Sequence, residues 1–140
     1  MEVQAYNVST ERDRMDVDFI HEFLSARSYW AKGRAREIVA RSIETSLCFG
    51  VFSSDGRQVG FARLVTDSVT FGWLCDVFID EAHRGKGLGK KLIQAVVSDP
   101  RVKGIKRIML GTRDAHELYQ RYGGFQPLAS PETWMERSGA

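Results

Sequence analysis

Asp76-Val77-Phe78-Ile79-Asp80-Glu81-Ala82-His83-Arg84-Gly85-Lys86-Gly87-Leu88-Gly89-Lys90-Lys91-Leu92 is the stretch on which the reading of this chain turns. An apolar, β-branched run leads into a glycine-rich turn. That turn opens a segment whose Leu88, Leu92, Ala95 and Val96 share one helical face. The first N–H groups of a helix have no partner inside it, and the aligned peptide dipoles place about half a positive charge there. Gly85, Gly87 and Gly89 remove side chains that would hold an anion away from those donors. Arg84, Lys86 and Lys90 add positive charge nearby. Together these residues predict a cradle for a phosphate or pyrophosphate.

Three phosphate-binding patterns compete for this loop. A P-loop requires a Ser or Thr after its lysine, and none stands here. A dinucleotide fingerprint requires G-x-G-x-x-G near the first strand, whereas this spacing is G-x-G-x-G after the third consecutive β run. A plain joining turn would spend three alternating glycines, each costly in chain entropy, on no packing.

Outward from the loop, the pattern alternates between helix and strand. Gln4 to Val8 reads as a short first strand. Asp16 to Ser25 carries Phe19, Ile20, Phe23 and Leu24 on one helical stripe, and Arg34 to Thr45 carries Ala35, Ile38, Val39, Ser42 and Ile43 on another. Leu47 to Phe52, Val59 to Thr66 and Val69 to Ile79 read as strands, the first two joined by the hairpin signal Ser53-Ser54-Asp55-Gly56. The helix after the loop must stop near Asp99-Pro100. Arg107 to Gly111 reads as a strand and Ala115 to Tyr122 as a helix ended by Gly123-Gly124, with a last irregular strand expected within Phe125 to Met135. This order predicts a mixed α/β sheet packed between helices, in one domain over residues 1–140.

The composition excludes several classes. Twenty basic residues stand against 18 acidic ones, a balance that gives no case for nucleic-acid or membrane binding. No apolar run reaches membrane-spanning length, and Met1 to Thr10 lacks the plan of a signal peptide. Cys48 and Cys75 sit in apolar segments and read as buried free thiols of a cytoplasmic protein, although one disulfide pair stays open. No Cys/His cluster has metal-ligand spacing, so no metal is expected.

Arg84-Gly85-Lys86-Gly87-Leu88-Gly89 resembles the R/Q-x-x-G-x-G/A signature of the GNAT acetyltransferases, which grips the pyrophosphate of CoA. Val77-Phe78-Ile79-Asp80 is similar to the strand before that signature, and His116-Glu117-Leu118-Tyr119 to the helix that bears a leucine-tyrosine pair shortly before Gly-Phe. The resemblance follows the element order along almost the whole chain. It implies a mostly antiparallel sheet with a splayed strand pair that binds acyl-CoA, and acetyl-CoA as the acyl donor to an amine. It also implies cofactor contacts from Val77, Phe78, Ile79, from Arg84 through Lys90, and from Asp114 and Tyr119. It is compatible with a homodimer. One departure is the extra residue in Gly123-Gly124-Phe125, which shifts the helix end or forms a bulge. A different class of reading is a CoA-binding sensor or partner module with little catalysis.

Acetylation of an amine needs a neutral nucleophile, a polarised thioester and a protonated leaving thiol. A primary amine of pKa about 10.4 costs about 4.6 kcal/mol to neutralise at pH 7. Backbone N–H groups around Phe78 are candidates for the carbonyl oxygen. The resemblance implies that Tyr119 is the general acid; the other reading is a half-buried tyrosine packed beside Leu118. Asp76 stands in an otherwise apolar run, on the face opposite Val77 and Ile79. It either orients or deprotonates the amine, or makes a structural hydrogen bond. Asp114 with Glu117 reads as a helix-capping box, with a contact to pantetheine as a second role. His83 and His116 read as non-catalytic. The resemblance implies that Tyr29 and Trp30, beside Lys32 and Arg34, wall the acceptor pocket around a flat or anionic acceptor; the other reading is a solvated turn that covers the core. No cysteine has a nucleophile's surroundings, so direct attack in a ternary complex is expected.

Overall fold

A computed structural model describes residues 5–139. Its centre is one five-stranded sheet in the order β1-β2-β3-β4-β5, built from β1 (Asn7–Ser9), β2 (Leu47–Phe52), β3 (Gln58–Thr66), β4 (Phe71–Ile79) and β5 (Arg107–Met109). Neighbours are antiparallel except for β4 and β5, which run parallel. Helices α1 (Val17–Arg27) and α2 (Arg36–Glu44) precede β2. Helices α3 (Leu88–Ser98) and α4 (Pro100–Lys103) carry the chain from β4 to β5, and α5 (His116–Gly123) follows β5.

Both faces of the sheet are buried, which is why its central strands read as nearly continuous apolar runs. On one face, Val51, Ala62, Leu64 and Leu74 pack with Leu88, Leu92, Ile93 and Val96 of α3 and with Tyr119 of α5. On the other, Cys48, Phe61 and Phe78 pack with Ile20, Phe23 and Leu24 of α1 and Val39 and Ile43 of α2. Phe78 stacks on Phe23 with ring centroids 3.9 Å apart. Val39 is fully buried, whereas Ala35 and Ile38, expected on the same stripe, are exposed. Helix α2 begins only at Arg36 and is nine residues long, so its buried face narrows to Val39 and Ile43.

One irregularity positions the site. The β3–β4 register shifts between Phe61 and Arg63, so that Asp76 and Val77 together oppose Ala62. Such a bulge inserts one residue and re-aims the side chains beyond it. Leu74 and Val77, three residues apart, therefore face the same core, which a regular strand forbids. Asp76 is the bulged residue, with φ of 55°, and it faces the other way. Asp tolerates this left-handed conformation better than a β-branched or bulky residue would.

Three sequence expectations need correction. Residues 125–135 form no strand; Pro127 and Pro131 lack N–H groups, and a 3-10 turn occupies Pro131–Thr133. Strand β1 begins at Asn7, and Gln4 lies outside the described residues. Strand β4 begins at Phe71 rather than Val69, because Asp67 accepts hydrogen bonds from the amides of Val69 and Thr70 in the preceding turn. The extra glycine before Phe125 finds a simple use. Gly124 adopts φ of 73° and ends α5, and the Phe125 amide reaches back to the Tyr119 carbonyl at 3.2 Å. Gly123 leaves room for Phe125, whose ring carbon would lie 2.8 Å from a Cβ there.

Candidate active site

Helix α3 starts without a cap. Its N-cap is Gly87, at φ of 77°, which has no side chain to offer the first-turn amides. Gly85 also has a left-handed φ of 81°, and a Cβ built on it meets nothing within 4 Å. The turn is thus open on the side where the helix donors point. Gly89 differs: a Cβ there would rest in ordinary contact 3.7 Å from a Leu118 methyl, so this position faces α5 and has room for a methyl. The Arg84 Nε donates to the Ile79 carbonyl at 3.0 Å and ties the turn to the end of β4. The His83 Nδ1 lies 2.8 Å from the Tyr6 hydroxyl, an interaction that fixes its ring beside the same turn.

Beside this turn the sheet opens. Strand β5 pairs with β4 only from Phe71 to Trp73, so the outer edge of β4 from Leu74 to Ile79 has no strand partner among the described residues. Backbone donors and acceptors on that edge are available to a bound molecule. A cavity of about 450 Å³ occupies the opening. It brings Asp76, Val77, Asp114 and Tyr119 together with Tyr29 and Trp30, residues 90 positions apart at the extremes. The side chain of Phe78 is not in this wall, because it is buried against α1; only its backbone lies along the edge.

Tyr119 is buried from the α3 side, with its ring 6.0 Å from that of Phe125, and it lines the cavity. Burial, and then the charges of Tyr29 and Asp114, push its phenol up to about 12 from an ordinary 10.0. It therefore keeps its proton at neutral pH. Asp114 is exposed and does not cap α5: the cap position is Ala115, whose amide donates to Thr112 Oγ1 at 3.1 Å. The capping-box expectation fails because the helix begins one residue later than the pattern implied. His116 is exposed and stands outside this cavity.

Asp76 is only 4% exposed and fully engaged. One oxygen accepts from Trp30 Nε1 at 2.9 Å, and the other accepts from Arg34 at 2.8 Å and Arg63 Nε at 2.9 Å. Arg63 donates in addition to Ser46 Oγ at 3.0 Å. A buried carboxylate demands such company, since an unpaired one costs several kcal/mol. Arg63, Trp73 and Arg113 also line the cavity, and sequence reasoning missed all three. A signal existed for Arg63: it is the lone charge in an apolar strand, as Asp76 is in the next. Two opposite, isolated charges in consecutive hairpin strands are candidates for one ion pair. Nothing local marked Trp73 or Arg113. Cys48 and Cys75 are free thiols, and burial pushes each up to about 11 from 9.0. Neither is a ready nucleophile. Among the described residues, no group of three His, Cys, Asp or Glu residues gathers in metal-binding range, and no helix is long and apolar enough to cross a membrane.

An uncapped glycine turn beside a sheet split between parallel neighbours, with a protonated tyrosine at the split, defines an acyltransferase architecture. The comparisons agree. The pattern of the acetyltransferase (GNAT) family matches residues 6–125, and the chain belongs to that family. It is 46% identical to a proposed GNAT acetyltransferase of Xanthomonas campestris pv. campestris, whose crystal structure superposes with a TM-score of 0.91 over 96% of this chain and 93% of that one. It is 30% identical, over 86% of its own length and 79% of the relative's, to a proposed acetyltransferase of Gibberella zeae. A chloroplastic serotonin N-acetyltransferase of Oryza sativa subsp. japonica is 33% identical over 66% of this chain, which spans about half (48%) of that protein. The chain is thus an acyltransferase enzyme of GNAT type.

Proposed function

We propose that the chain transfers an acetyl group from acetyl-CoA to a primary amine by direct attack within a ternary complex. The observation that carries this reading is the meeting, at Tyr119, of the split β4 edge with a pocket walled by Tyr29 and Trp30. The residues present fit CoA: the open turn at Gly85 and the bare amides of α3 suit its pyrophosphate, with Arg84, Lys86 and Lys90 adding charge. The edge at Val77, Phe78 and Ile79 suits the amides of the pantetheine arm, and Asp114 stands at the facing wall. When bound, acetyl-CoA supplies an activated thioester.

The chain's own groups then act on charge and protons. Edge N–H groups of β4 stabilise negative charge on the carbonyl oxygen. Tyr119, a neutral phenol that burial makes still less acidic, donates its proton toward the departing sulfur. The amine loses its surplus proton to water in the cavity. Asp76 is poorly placed to take that proton, since its two oxygens already accept three hydrogen bonds. Its role in this reading is to hold Trp30, Arg34 and Arg63 in the acceptor wall. Reduced Cys48 and Cys75 suit a reducing compartment such as the cytoplasm.

The test is Tyr119→Phe, assayed by thiol release over a panel of amines and by direct titration of acetyl-CoA. We expect kcat to fall about 10–100-fold with Kd for acetyl-CoA within about two-fold of the parent. Undiminished turnover would remove Tyr119 from the chemistry.

A further inference from the structure

The acceptor end of the cavity carries a charge imbalance that transfer chemistry alone does not require. Arg34, Arg63 and Arg113 line the cavity against Asp76 and Asp114, leaving one surplus positive charge. The arrangement is sharper than the sum. Asp76 is buried and shared by two guanidinium groups through a single oxygen, so it can neutralise only one of them. Arg34 keeps 24% of its side chain exposed and uses one terminal nitrogen, Nη1, on Asp76. Its other donors remain for a ligand, in the fixed fork that matches oxyanions. Around this charge stand aromatic rings that are partly exposed: Tyr29 at 46%, Trp30 at 39% and Trp73 at 40%. Two of them are held by hydrogen bonds, Trp30 through Asp76 and Tyr29 by accepting from the Arg113 amide at 2.9 Å. The Arg113 guanidinium lies 3.8 Å from the centre of the Tyr29 ring. An exposed aromatic surface that is pinned rather than mobile is a built recognition surface.

Resting on the acetyl-transfer reading, we propose that the acceptor is a small amine that also bears an oxyanion, a carboxylate or a phosphate, seated on Arg34 and Arg63 with its apolar part against Trp30 and Trp73. The anion satisfies the surplus charge, and the rings exclude water from the pair, which strengthens it. A polycation meets two half-buried guanidinium groups there instead, and its second ammonium is repelled. The cavity is of small-molecule size and must also admit the acyl arm, so a folded protein surface does not enter it.

Binding of reaction products to the full chain separates this proposal from the reading it rests on. The probes are N-acetylated aromatic amines with a carboxylate one, two or three carbons from the nitrogen, each paired with its neutral amide, followed by quenching of tryptophan fluorescence. We expect the acid to bind at least about ten-fold tighter than its amide in one or more pairs. Arg34→Gln should erase the difference, and Arg34→Lys should keep part of it. Amides that bind as well as their acids in every pair, or a difference that survives Arg34→Gln in a folded protein, would overturn the proposal. If Arg34→Gln does not fold, the acid–amide comparison on the parent chain decides alone. Selective binding of the acids, with no acetylation of the corresponding free amines, would leave anion recognition standing and sink acetyl transfer.

Discussion

Helices α1 and α3 are both 11 residues long, and they begin in opposite ways. At the start of α1, Asp16 accepts from the Phe19 amide at 3.0 Å, and its own amide donates to Gln58 Oε1 at 2.8 Å. That terminus is satisfied by the fold. At the start of α3 there is only Gly87, and the same class of donors is left open beside Arg84, Lys86 and Lys90. An unsatisfied helix end is tolerable at a surface, where water fills in, and it becomes useful when an anion of the right size replaces the water. The two ends show the same backbone chemistry satisfied within the fold at one helix and left open at the other.

Three substitutions probe that contrast. The largest effect is expected from Gly87→Asp, which places at the start of α3 the residue type that caps α1 and sets a negative charge at the proposed pyrophosphate seat. Affinity for acetyl-CoA by calorimetry should drop by about 100-fold or more, since anion and carboxylate compete for the same donors. Retained affinity would mean that the coenzyme's phosphates lie elsewhere. Next comes Asp16→Ala, which strips α1 of its cap. Denaturant unfolding should show a loss of about 1 kcal/mol, with the affinity for acetyl-CoA unmoved. A loss of affinity instead would show the two termini to be coupled. The smallest effect belongs to Gly89→Ala. Its new methyl would meet Leu118 at an ordinary 3.7 Å, so both affinity and stability should stay within about 1 kcal/mol of the parent, helix propensity favouring the alanine. A large loss of affinity would assign Gly89 to the cradle after all.

The candidate cradle was legible in the sequence because it is local: Arg84 to Lys90 lie within one turn of a single helix start, and the structure begins that helix, uncapped, at Gly87. Tyr119 was singled out through its motif, and no local physics would have selected it. The acceptor wall was the hard part. Tyr29, Trp30 and Asp76 were picked out separately, yet that Trp30 and Arg34 both donate to Asp76 depends on the bulge in β4. Bulges leave almost no trace in a pattern of alternating residues. Trp73 is the last residue of β4 to pair with β5, and Arg113 lies in the loop between β5 and α5, so the two share a wall only where β5 departs from β4. The expected last strand fails for a plainer reason: Pro127 and Pro131 withhold the donors that pairing needs.

The slip of one residue at Asp76 also decouples two design problems. Leu74, Val77 and Ile79 stay in phase with the α3 side across it, while the slipped side chain turns to the opposite side, toward Trp30, Arg34 and Arg63. Changes at Arg34 therefore fall on the cavity side and leave the contacts between the sheet and α3 in place.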